Sequence, residues 1–243
     1  MAKKIIPRSP IPQQLVVEWR HDIEGPTDRH KIVKLGNSKL RVDTDYNFKF
    51  DLTIPYGTHE TLKKMRDDSI NGDVWIHFFD CHQIIDRDVS GKPEFGAQPL
   101  IAKLKIDESD NMYFEVRIHG SNDEYTLHGS QLQTQIHICI GCSVSHLKRS
   151  SLKGIISRRD VVLTDDLKDG QTWNFEFGAR FSKNNGKNSI KLNGCEIWSE
   201  SGITNYMPVV GDSSLACREP YVGIYISKGS NYDAQLIFNN LQW

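Results

Sequence analysis

The chain has little of what would mark it as a membrane-spanning, polyanion-binding or helical protein. No stretch of about 18 uninterrupted apolar residues occurs, so no bilayer-spanning helix is predicted. Net charge is nearly absent as well: 30 Lys+Arg stand against 31 Asp+Glu, a formal charge of -1. Bulk electrostatics therefore predict neither a nucleic-acid partner nor a membrane surface. Cysteine is scarce and odd in number, with five residues (Cys81, Cys139, Cys142, Cys195 and Cys217), so they cannot all pair within one chain. The N-terminal stretch MAKKIIPRSPIPQQ carries two early lysines but lacks the apolar region of a secretory signal. Free thiols follow, and with them a protein that is cytoplasmic as synthesised, or that reaches a virion or the extracellular space after lysis.

Two further shortages bear on metals and on fold. Cys139 and Cys142 form a C-x-x-C, but Cys195 and Cys217 stand 22 residues apart and supply no second close pair. A tetrahedral zinc site needs two such pairs and a redox pair needs a βαβ setting. Core cysteines are the expectation, with no metal and no cofactor. Helical periodicity is equally rare. Only residues 58–68, THETLKKMRDD, place apolar Leu62 and Met65 on one face of a short helix.

What is present is alternation. Period-two patterns cover residues 15–19, 47–54, 74–79, 100–106, 112–118, 134–140, 172–181, 189–192, 221–226 and 235–241. Asn71-Gly72, Ser90-Gly91, Asp110-Asn111, Asp169-Gly170 and Asn193-Gly194 are among the turn signals between them, and the last sets a tight hairpin inside KNSIKLNGCEIW. About ten evenly spaced strands without βαβ alternation or fixed repeat predict an all-β protein, a two-sheet antiparallel β-sandwich of the jelly-roll, concanavalin-like kind. Sandwiches of about 200–250 residues are commonly single domains. Residues 1–14, with Pro7, Pro10 and Pro12 restricting φ, are expected to form an extended arm, and residues 15–243 one domain. Long loops are expected at residues 80–98 and 143–161.

Several segments, taken in order, carry a resemblance: EWRHDIEGPTDRHKIV, YNFKFDLTIP, VWIHFFDCHQ followed by QPLIAKLKIDESDNMYFEVRIHG, LKDGQTWNFEFGARFSKNNGKNSIKLNGCEIW, and PYVGIYISKGSNYDAQLIFNNLQW. Together they resemble the jelly-roll polysaccharide lyases, the heparin-lyase-I-like group with its glucuronan and alginate lyase relatives. The resemblance implies β-elimination beside a uronate, in which the C5 carboxylate is neutralised, a base removes the α-proton and an acid protonates the leaving oxygen. It implies an anionic polysaccharide as partner and requires no metal. The family's Gln-x-His falls on Asp80-Cys81-His82, which makes His82 the expected catalytic histidine. Tyr225 falls on the catalytic tyrosine, and Tyr221 stands where a lysine is usual. Arg29, or else Arg20, falls where an arginine meets the carboxylate. A literal Gln-x-His, Gln135-Ile136-His137, lies one or two strands late in the motif order and makes His137 the rival histidine.

Two departures shape the alternatives. Asp80 brings negative charge where the family offers an amide, a repulsion unless Asp80 is paired, for instance with Arg29. The lysine at position 221 is lost. A lyase that holds its substrate differently is one outcome. A non-catalytic module binding glycan or protein is the other, such as a virion surface or decoration protein whose arm reaches a neighbour or a second copy. Because Tyr225 alternates with Ile224 and Ile226, it faces away from the core if they face into it. The run SHLKRSSLKGIISRR, with Lys148, Arg149, Lys153, Arg158 and Arg159 and no acid, is the one local positive patch, read either as a solvated loop or as an attraction for a polyanion. Of five tryptophans, Trp198 alone is placed for sugar stacking, and the others are assigned to core packing.

Overall fold

Alternation of the kind seen in DYNFKFDLT requires one face of each strand to be buried, and two sheets meeting on those faces satisfy it. A computed structural model describes residues 4–6, 14–20, 30–35, 39–69, 73–82, 84–85, 94–95, 99–120, 134–141, 157–163, 165–206, 214–217, 219–226 and 232–243. Its strands are β1 (Lys4–Ile6), β2 (Leu15–Trp19), β3 (His30–Leu35), β4 (Leu40–Arg41), β5 (Asp45–Thr53), β6 (Trp75–His82), β7 (Ile84–Ile85), β8 (Glu94–Phe95) and β9 (Leu100–Ile106). They continue as β10 (Met112–Gly120), β11 (Thr134–Ile140), β12 (Ser157–Val161), β13 (Thr172–Arg180), β14 (Gly186–Leu192), β15 (Cys195–Ile203), β16 (Leu215–Cys217), β17 (Glu219–Ile226) and β18 (Ala234–Gln242). A single helix among the described residues, α1 (Thr58–Asp67), follows β5.

An eight-stranded sheet runs β1-β3-β17-β6-β9-β10-β11-β12 and a six-stranded sheet runs β15-β14-β13-β5-β18-β2. The protein is an all-β jelly-roll sandwich. The six-stranded sheet is antiparallel throughout. The larger sheet is antiparallel within and ends in a parallel pair at each edge, β1 with β3 and β11 with β12. The arm thus supplies an edge strand, and β12 occupies part of the stretch read as a loop.

The core lies between the sheets and is aromatic at its centre. Phe50 of β5 is wholly buried, with ring centroids 5.8 Å from Phe79, 5.7 Å from Phe175 and 5.8 Å from Phe238. Phe79 of β6 stacks on Phe177 of β13 at 5.0 Å, joining one sheet to the other. Trp198 also belongs to this core at 5% exposure, so the sugar-stacking role expected of it gives way to packing against the inner face. Leu62 and Met65 bury the predicted face of α1, whose first turn is capped from outside: the Asp169 carboxylate accepts from Gly57 N at 2.7 Å and His59 N at 3.0 Å. Asn193 and Gly194 form the two-residue loop between β14 and β15 with φ of 50° and 80°, the left-handed pair this hairpin demands.

Candidate functional site

The outer face of the eight-stranded sheet is polar and nevertheless buried. Ile224 and Ile226 belong to the core, so Tyr225 takes the opposite face, as its alternation predicts. On β9 the core takes Leu100, Ala102, Leu104 and Ile106, which leaves Lys103 and Lys105 outward. On β10 it takes Phe114, Val116 and Ile118, which leaves Glu115, Arg117 and His119 outward; on β11 it takes Ile136 and Ile138, which leaves His137. His77, Asp80, Lys103, Lys105, Glu115 and His137 are all 5% exposed or less. Trp75, Tyr225 and Arg117 are half-buried, so the face meets solvent at those side chains.

A bulge in β6 assembles this face. The register against β9 slips between His77 and Phe79, and Phe78 and Phe79 both enter the core. One extra residue shifts the parity of the strand, so that His77 and Asp80 point the same way although they are three apart. The registers then draw straight rows across the sheet. Tyr225, His77, Lys103, Glu115 and Cys139 are successive cross-strand partners, and Tyr221, Asp80, Ile101, Arg117 and His137 form the row beside them.

Contacts within the rows are specific. The His77 ring stacks on Trp75 at 4.2 Å and meets the Tyr225 ring at 5.4 Å and 89°. Among the described residues, neither nitrogen of His77 has a hydrogen-bond partner. Burial, reinforced by Lys103 and Arg117, holds His77 well below the ordinary histidine range, so it is a neutral imidazole at neutral pH. Arg117 donates to Glu115 Oε2 from Nε at 2.9 Å and Nη2 at 2.8 Å. Lys105 Nζ lies 2.7 Å from Asp73 and 3.6 Å from Glu115. His137 Nδ1 stands 3.4 Å from Glu115 Oε1, an electrostatic contact outside hydrogen-bond geometry. Burial pushes the Glu115 carboxyl up, but Lys105, Arg117, His137 and Lys103 together overcome this and keep it well below the usual carboxylate range. Burial also lowers His137, against the pull of Glu115.

The residues singled out from sequence fall in different places. Asp80 and Tyr221 are buried cross-strand partners, and the Tyr221 hydroxyl donates to Asp80 Oδ2 at 2.9 Å, which answers the repulsion expected of that carboxylate. His82 pairs through its backbone with Glu219, five residues along β6 from His77, or about 16 Å. His137 stands four strands from Tyr225, about 19 Å at ordinary strand spacing. The imidazole that the fold brings to Tyr225 is His77. Arg20 is exposed at the end of β2 on the other sheet. Arg29, Lys148 and Arg149 lie outside the described residues. Cys81 and Cys139 are buried, whereas Cys195 is exposed. Among the described residues no group of three or more His, Cys, Asp or Glu is placed to hold a metal.

Motif order does not reach His77, Lys103, Glu115 or Arg117. A signal for the last three was available: LIAKLKI and MYFEVRI set charges at every second position of otherwise apolar strands, which marks a second, polar face. Trp75, assigned to the core from sequence, lies on this face because Ile76 takes the inward position.

No family model and no curated protein sequence matches the chain. Among solved structures it is similar to the Caenorhabditis elegans galectin LEC-6, at 8% identity and a TM-score of 0.35 over 91% of this chain and 94% of that one. It is also similar to the CBM2 module of the Lactobacillus casei BL23 phage J-1 evolved Dit, at 11% identity and a TM-score of 0.28 over 86% of this chain and 68% of that one.

Proposed function

We propose that the outer face of the eight-stranded sheet binds a uronate-containing polysaccharide and cleaves it by β-elimination. The observation that carries this reading is the juxtaposition of Tyr225 with a buried, neutral, unpartnered His77 on a face rich in cations. His77 accepts the C5 proton of the uronate. The electron pair of that C–H bond becomes the C4–C5 double bond, the C4–O bond breaks, and Tyr225 gives its phenolic proton to the departing oxygen. With the rings 5.4 Å apart, the proton on His77 has a short way back to the phenolate, which restores both groups. Trp75, half-buried beside both rings, gives the sugar an apolar contact.

The test is ultraviolet absorbance from unsaturated uronate ends during incubation with alginate, glucuronan and heparin-type chains. Growth of that absorbance on at least one polymer is expected, with a loss of at least about 100-fold in His77→Ala and Tyr225→Phe, the usual scale for removing a general base or acid. Absence of product from all three polymers, or unchanged rates in both variants, would refute the reading.

One observation favours a second reading, a non-catalytic glycan- or protein-binding module. Glu115 is already engaged within the protein by Arg117 and Lys105, and Asp80 Oδ2 by Tyr221. Retained binding of an oligouronate without turnover is the outcome that selects it.

A further inference from the structure

We infer that Lys103 is the cation that receives the substrate's carboxylate, and that its charge sets the upper pH limit at which the site holds a uronate. This rests on the proposed function and goes past it by assigning one residue and one pH response.

The three outward cations of β9 and β10 are not equivalent. Arg117 is engaged by Glu115, and Lys105 by Asp73 and Glu115. Lys103 is only 5% exposed, yet among the described residues no carboxylate lies within ion-pair distance of its ammonium, which lies over the Trp75 ring, 5.0 Å from Nζ to centroid. A buried lysine held over an aromatic face without a counter-ion is a site prepared for an anion. Its neighbours in the row are His77 on β6 and Glu115 on β10, so a carboxylate seated on Lys103 lies beside the imidazole assigned to the C5 proton.

The surroundings determine how long the charge persists. The groups around it are Lys105 on its own strand, Asp73, Trp75, His77 and Asp80 from β6 and its approach, Tyr225 beyond them, and Tyr113, Glu115, Arg117 and His137 on the other side. Burial first, then Arg117 and Lys105, lower Lys103 from 10.5 to about 7, while Glu115 and Asp73 oppose them. Lys103 is therefore charged below about pH 7 and loses its charge above it, and a carboxylate binding above that point must bring a proton with it. Affinity then falls about tenfold per pH unit.

The experiment is calorimetric titration of the full chain carrying Tyr225→Phe, which keeps the ligand intact, with oligoglucuronate and oligomannuronate from pH 6 to pH 9. A carboxyl-reduced oligosaccharide serves as the neutral probe. Affinity is expected to fall about tenfold per unit above pH 7 for at least one uronate and to stay level for the neutral probe. Adding Lys103→Arg should retain binding and flatten the profile, because the guanidinium stays charged throughout. Adding Lys103→Met should lose at least about tenfold at pH 6 and also be flat. A Lys103→Arg profile that follows the parent, or a Lys103→Met protein that binds like the parent at pH 6, overturns the assignment and leaves the proposed function standing. Failure of both uronates, and of a heparin-type oligosaccharide titrated in the same way, to bind at pH 6 overturns the two together.

Discussion

Lys103 carries its charge at a cost to the folded chain. A lysine lowered from 10.5 to about 7 binds its proton less tightly when folded than when unfolded. Between those values the unfolded chain holds more protons, so stability from this group rises with pH, by on the order of 4 kcal/mol across the window. Lys103→Met removes the penalty, and its stability advantage over the parent should be largest near pH 6 and shrink by that order toward pH 10, measured by urea unfolding at each pH. An advantage independent of pH would show that Lys103 is not depressed. His77 acts in the same direction lower down: depressed by burial, it withdraws stability as pH falls below its ordinary 6.5. Glu115, held low by its cations, contributes stability above its ordinary 4.5 that is lost as pH falls toward its depressed value. At this scale the sequence was half legible. The facing of Tyr225 followed from Ile224 and Ile226, but His77 sits at the wrong parity relative to Asp80 under strict alternation, and only the bulge at Phe78 corrects it.

Among the elements, the β13–β14–β15 hairpins are fastened from behind by one side chain. Asn205, wholly buried, accepts from Ser182 N at 2.8 Å and donates to Arg180 O at 2.9 Å, Lys187 O at 3.3 Å and Asn188 Oδ1 at 2.6 Å. Its Oδ1 also explains Gly186, where an added Cβ would lie 2.1 Å away. Asn205→Leu keeps the volume and strands several buried groups, each worth about 1–3 kcal/mol, so a loss of about 3–5 kcal/mol is expected in chemical denaturation. A loss under about 1 kcal/mol would contradict this account of the turn. The long strands were readable because each has one face on the core, and the Asn193-Gly194 hairpin because its dihedrals admit few residues. Short strands were not. β1, β4, β7, β8 and β16 have two or three residues apiece, too few for a period, and β12 begins in the basic run. Such segments become strands through hydrogen bonds to distant partners, which local composition does not encode.

For the molecule as a whole, stability rests on a single aromatic interior shared by both sheets. Phe50 touches rings from three other strands, so Phe50→Ala should cost about 3–5 kcal/mol and lower the midpoint of thermal unfolding by roughly 10 °C, read by calorimetry as one cooperative transition. Two separated transitions would mean that the sheets melt apart. The architecture was legible from even strand spacing and turn chemistry. The polar outer face was legible in the alternate charges of LIAKLKI and MYFEVRI, but its burial was not, because burial is set by the tertiary fold and not by the strand's own pattern. The six-stranded sheet holds one more consequence, in the position of β18 between β5 and β2. The ribosome delivers β2 and β5 well before β18, although among the described residues β18 alone joins them in this sheet. A growing chain must carry β5 with one open edge, and β2 without its partner, until residues 234–242 emerge. Closure of this sheet thus waits for residues 234–242, and until they emerge the nascent chain is where holdase chaperones have the most exposed strand edge to protect.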